Sequence, residues 1–116
     1  MARSFYPQFS KLPIGKLEKE AIQELIFALS HYNSGQGFLN DIRQNLTTSV
    51  LGKVKCPTLV IHSENDNSVP LSHAEHAHEM IANSRLEILK NTWGHLFWIG
   101  ADSKESIAKT IRFIEE

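Results

Sequence analysis

The chain of 116 residues holds one cysteine, Cys56, so no disulfide can form within it. A lone thiol fits a reducing compartment. Charge of one sign never accumulates: the net charge is −1 and no run reaches five like residues. That leaves neither a basic footprint for nucleic acid nor an acidic tail. Apolar runs fall far short of the ~18–20 residues that span a bilayer. Met1-Ala2-Arg3-Ser4-Phe5 lacks the apolar core of a secretory signal. The expectation is a soluble cytoplasmic protein with no nucleic-acid or membrane partner. The 41% apolar and 22% charged fractions suit one ordinary globular domain.

What is present changes character near residue 50. Residues 1–15 carry Pro7, Pro13 and Gly15 without a sustained period and read as an irregular lead-in. Leu17, Ala21, Leu25 and Leu29 then fall four apart with Ile22 and Ile26 beside them, which predicts an amphipathic helix. Asn33-Ser34-Gly35-Gln36-Gly37 breaks it. A second helical stretch is expected from Phe38 to Val50, with Phe38, Leu39, Ile42, Leu46 and Val50 at helical spacing. Residues 1–50 form a helical segment on this reading, and residues 51–116 an α/β segment.

In that second segment, Pro57-Thr58-Leu59-Val60-Ile61-His62 is short, continuous and β-rich, the pattern of a strand buried on both faces of a parallel sheet. Leu71 to Ala82 follows Pro70 as a helix. Arg85-Leu86-Glu87-Ile88-Leu89-Lys90 alternates like a half-exposed edge strand. Asp102 or Ser103 is placed to cap a last helix carrying Ile107, Ile111 and Ile114. The sum is a βαβα unit.

A βαβ crossover is right-handed and its strands run parallel, so both carboxyl ends open on one edge of the sheet. Asp66 lies shortly after the first strand and His95 shortly after the second. A carboxylate bonded to one imidazole nitrogen fixes the tautomer, and the other nitrogen is then free to accept a nucleophile's proton. Gly94 supplies the backbone freedom for a sharp turn into the histidine.

At these residues a resemblance becomes specific. Pro57-Thr58-Leu59-Val60-Ile61, with Glu64-Asn65-Asp66-Asn67-Ser68-Val69-Pro70, resembles the seventh-strand segment of the α/β-hydrolase family. Leu86-Glu87-Ile88-Leu89 with Gly94-His95 resembles its eighth strand and Gly-His signature. The likeness covers residues from about 50 to 116, and the two preceding helices are loosely similar to that family's lid. It implies an α/β fold: the C-terminal βαβα part of a hydrolase sheet preceded by two lid-like helices. It also implies Asp66 as triad acid, His95 as triad base, ester hydrolysis through an acyl-enzyme, and no metal or organic cofactor. Two departures stand out. Ser63 replaces a frequent glycine, and the first six strands, the G-x-S-x-G elbow and the oxyanion-hole loop have no counterpart here. The chain alone is therefore expected to be inactive on esters, and to seek a complementary chain or a second copy in a homodimer. A non-enzymatic binding module derived from a hydrolase is the alternative.

Other residues carry weaker patterns. Ser34 sits between glycine-rich neighbours, but Tyr32 occupies the position of the elbow's first glycine and no strand precedes it. Cys56 stands at the amino end of its strand and reads as a small semi-buried residue. His73, His76 and His78 resemble a ligand cluster, but position 78 diverges from the other two on a helix, so a solvated face is expected. His62 reads as a core or edge histidine. Trp93, Phe97 and Trp98 flank His95, either lining an acyl pocket or packing on the last helix.

Overall fold

The computed structural model describes residues 2–13, 15, 18–32 and 34–116. Its helices are α1 (Ala2–Phe9), α2 (Lys19–His31), α3 (Gln36–Ile42), α4 (Leu71–Met80) and α5 (Ser103–Glu115). A 3₁₀ turn spans Thr48–Lys53, and the strands are β1 (Thr58–Ser63) and β2 (Ser84–Leu89). β1 and β2 pair in parallel, from Thr58 opposite Ser84 to Ser63 opposite Leu89. The helix α4 crosses between them and packs on both strands, while α5 packs on β1. This is the expected α/β arrangement: mixed helices around a small parallel sheet. No described helix is long and apolar enough to cross a membrane.

The core lies beyond the carboxyl end of the sheet. Tyr6 from α1, Ala21 and Leu25 from α2, and Trp93, Leu96 and Ile99 from the loop after β2 form one buried cluster, with Phe9 against it. Tyr6 meets the Trp93 ring edge-on, with centroids 5.3 Å apart. Of the stripe expected on α2, Ala21 and Leu25 are buried and Leu29 is exposed. Leu17, and Asn33 in the break that follows, lie outside the described residues.

Several expectations need correction. Residues 2–9 are helical rather than irregular, although Pro7 lies inside the helix and withholds one backbone donor. The stretch 38–50 is not one helix: α3 ends at Ile42. Thr47 is extended (φ −76°, ψ 144°), and its hydroxyl lies 2.8 Å from that of Ser49. Hydroxyl side chains that bond locally compete with helix propagation. β1 is only half-buried along Thr58–His62, because among the described residues β2 is its sole strand partner. Finally, neither expected residue caps α5. The Asp102 carboxylate instead accepts from the Thr92 amide at 2.5 Å, tying the start of α5 to the loop after β2.

The alternation expected of β2 also fails. Ile88 is exposed, and Glu87 is half-buried where it receives Lys109 of α5 at 2.6 Å. Arg85 lies 5.4 Å from the centre of the Phe113 ring and pairs with Glu116. Lys109 of α5 and Glu116 just after it thus pair with the half-exposed side of β2.

Candidate active site

Three residues after β1, Asp66 is buried in a tight turn. Its Oδ1 accepts the backbone N–H of Ser68 at 2.7 Å and of Val69 at 2.9 Å, an Asx-type turn of the kind aspartate favours. Its Oδ2 faces His95 Nδ1 at 2.8 Å. An ionised carboxylate offers only acceptors, so Nδ1 must carry the proton, and in the neutral ring Nε2 is then the basic nitrogen. Burial opposes the charge on Asp66, but the Val69 N–H, the His95 imidazole and the Ser68 N–H outweigh it and hold the carboxyl below its ordinary value.

His95 reaches this position on a turn that requires Gly94. Gly94 has φ +55°, and a Cβ there would lie 2.2 Å from the Phe9 carbonyl oxygen and 2.7 Å from that of Asn65. Buried Asn91 braces the same turn by donating to the Gly94 carbonyl at 3.0 Å. The sheet ladder runs on into the acid loop, with Glu64 N–H donating to Leu89 O at 2.9 Å. Both loops thus grow directly from paired strand ends, and the parallel register brings Asp66 and His95 together.

Sequence reasoning assigned no role to His62. Its Nε2 lies 3.1 Å from the Val69 carbonyl and 3.4 Å from Asp66 Oδ2, so two imidazoles flank one carboxylate. The available signal was its spacing, four residues before Asp66 at the strand end. Tyr6 and Ser10 were also missed. Their hydroxyls both donate to the Thr92 carbonyl, at 2.7 and 2.8 Å, and Ser10 forms a bridge with Asp66. Nothing local in the sequence signals contacts this distant.

The remaining candidates are dispersed. Ser34 is exposed in the turn that opens α3, its carbonyl accepting from Gly37. Cys56 is exposed rather than semi-buried, two residues before β1 begins. His73 and His78 are exposed, His78 bonding with Ser84, and His76 is half-buried, so the expected face is solvated at two of its three positions. Trp93 packs edge-on against Tyr6 in the buried cluster. Trp98, half-exposed, lines an apolar groove of about 400 Å³ with Phe9, Leu25, Leu29, Tyr32 and Leu96. Phe9 also stacks near His95, with centroids 6.5 Å apart.

A family model described as "TAP-like protein", an α/β-hydrolase model, matches residues 40–113. The chain belongs to the α/β-hydrolase family. It is similar to "Uncharacterized hydrolase YcgS" of Bacillus subtilis, with 37% identity over 99% of this chain and 42% of that protein. It is also similar to human "Serine hydrolase BPHL", 32% identical over 56% of this chain and 22% of that protein. The chain therefore spans less than half the length of either curated relative.

Proposed function

We propose that this chain supplies the acid, Asp66, and the base, His95, of a serine-type carboxylic-ester hydrolase. The observation that carries the reading is the 2.8 Å contact between His95 Nδ1 and Asp66 Oδ2 at the carboxyl ends of two paired parallel strands. The printed name of the human relative, a serine hydrolase, supports the same chemistry. No G-x-S-x-G run occurs among the 116 residues, so the nucleophile and oxyanion donors come from outside them.

In the reaction, the serine O–H proton passes to His95 Nε2 as the serine oxygen bonds to the ester carbonyl carbon. Asp66, already ionised, stabilises the imidazolium. The imidazolium then gives its proton to the departing alkoxide, leaving an acyl-enzyme. Water, deprotonated by His95, repeats the attack and releases the carboxylic acid and free serine. The apolar groove lined by Phe9, the ring that also stacks near His95, suits an apolar acyl or alcohol portion. An exposed lone thiol at Cys56 suits the cytoplasm, where it stays reduced.

The test is hydrolysis of 4-nitrophenyl butyrate by this chain alone and co-expressed with the part of YcgS that its alignment leaves uncovered. Alone, the chain should not exceed the rate given by free histidine, since removing triad members leaves only residual catalysis. The complemented protein should turn over, and His95→Ala should abolish that turnover. Turnover insensitive to His95→Ala would sink the reading.

A second reading is a non-enzymatic, self-associating module. It is favoured by the exposed Phe38, Ile42 and Leu46 and by the β1 edge that β2 does not cover. It predicts a stable homodimer without ester turnover. Light scattering at micromolar concentration checks it, and a clean 13.1 kDa species would exclude it.

A further inference from the structure

An α-helix leaves its last four carbonyls without intrahelical donors. In α1 these belong to Tyr6, Pro7, Gln8 and Phe9. Tyr6 O is taken by the next amide, Ser10 N–H, at 3.0 Å. The other three are taken by the loops that carry Asp66 and His95. Asn67 Nδ2 donates to Pro7 O at 2.6 Å, and Ser68 Oγ donates to Gln8 O at 2.7 Å. Phe9 O accepts twice: from His95 N–H at 2.8 Å and from Asn67 N–H at 3.3 Å. One oxygen atom therefore joins the backbone of the acid loop to that of the histidine turn. Next to it, the Ser10 and Tyr6 hydroxyls hold the Thr92 carbonyl at the start of that turn.

We infer that the carboxyl end of α1 is a positioning strap for the acid–base pair, with Asn67 and Ser68 as the positioning residues that fasten it. The inference rests on the catalytic reading of Asp66 and His95. Its physical basis is geometric. The Asp66–His95 bond joins two loops that share no backbone–backbone bond beyond the last ladder bond, Glu64 N–H to Leu89 O, where Asn65 Nδ2 donating to Asn91 O at 3.2 Å is the further tie. A shared acceptor restrains both loops at once, and the required precision is within about 0.5 Å. The closeness of Gly94 to Phe9 O, where no Cβ fits, shows that the histidine turn is seated on this strap.

The experiment is ¹⁵N NMR of the His95 ring in the full chain at pH about 8, above the reference imidazole value of about 6.5. In wild type the Nδ1–H tautomer should dominate. Replacing both Asn67 and Ser68 by Ala should lower the Nδ1–H to Nε2–H ratio by about three- to tenfold, the worth of one net hydrogen bond. Ser68→Thr, which keeps a hydroxyl donor for Gln8 O, should retain the wild-type ratio. A merely structural role would lower the urea midpoint without moving the tautomer, so an unchanged ratio in the folded double variant overturns the inference.

Should that variant not fold, amide exchange in wild type decides. The His95 amide should exchange at least about tenfold more slowly than that of exposed Ala101, and equal rates overturn the strap. The catalytic reading fails separately. A tautomer that responds to Asn67 and Ser68 without His95-dependent ester turnover in the complemented protein removes the function and keeps the strap. Turnover with an unresponsive tautomer does the reverse.

Discussion

Two short helices of this chain, α1 and α3, invert what their sequences suggest. The α3 region has apolar residues at regular helical spacing, while α1 contains a proline and its own spacing, Ala2, Phe5, Tyr6 and Phe9, spans only two turns. Yet α3 buries none of its residues, with Phe38 61% and Ile42 63% exposed. In α1, Tyr6 is 1% exposed and the last carbonyls are satisfied by loops about sixty and more positions away in sequence. Periodicity reports that a face can be buried, and nothing about whether a partner is there to bury it. Docking of orphan carbonyls fixes α1 where propensity would not.

The sharpest way to break that comparison is Tyr6→Ala. It removes a fully buried ring, its edge contact with Trp93 and its bond to Thr92 O. The expected cost is about 3–5 kcal/mol in urea unfolding, a large share of a small domain's stability. A loss no larger than that of an exposed residue would show that α1 is not docked as described.

Gly94→Ala comes next. A left-handed backbone and a Cβ 2.2 Å from Phe9 O must displace either the turn or the strap. A cost of about 2–5 kcal/mol is expected, combining the left-handed penalty with overpacking. An unperturbed urea midpoint would contradict the close approach.

A pH dependence sharpens the picture at Asp66. Its folded carboxyl sits below the ordinary value despite burial, so its ionisation stabilises the fold above the unfolded carboxylate value of about 3.9. That contribution should disappear as pH falls through the folded value. Urea midpoints of wild type should therefore drop across this acid window more steeply than those of Asp66→Asn. Parallel curves would mean that the carboxylate gains nothing from its three donors. The smallest effect belongs to α3: Phe38→Ala should change stability by less than about 0.5 kcal/mol, measured the same way. A larger loss would mean that this face is covered.

The βαβα unit, its parallel pairing and the nearness of Asp66 to His95 were legible because each follows from local pattern and short loops. Pro57 to His62 reads as a strand on composition alone, and the Asx turn at Asp66 is encoded within four residues. What escaped was non-local. The partners of α1 are Asn67, Ser68 and His95, and no window around Pro7 contains them. The half-burial of Leu59, Val60 and Ile61 was hidden too, since an apolar strand states its preference and not its neighbours. His62 escaped for a different reason. It lies in a strand, where histidine usually needs no explanation, and only the fold of the acid turn brings it within 3.4 Å of Asp66.

The central claim is that Asp66 holds the His95 ring with its proton on Nδ1, leaving Nε2 to take a proton from a nucleophile. Ring ¹⁵N shifts of His95 in wild type and in Asp66→Asn, recorded above the imidazole titration, test it most directly. The account predicts a dominant Nδ1–H tautomer in wild type and its loss in Asp66→Asn. A wild-type His95 protonated mainly on Nε2 would contradict it.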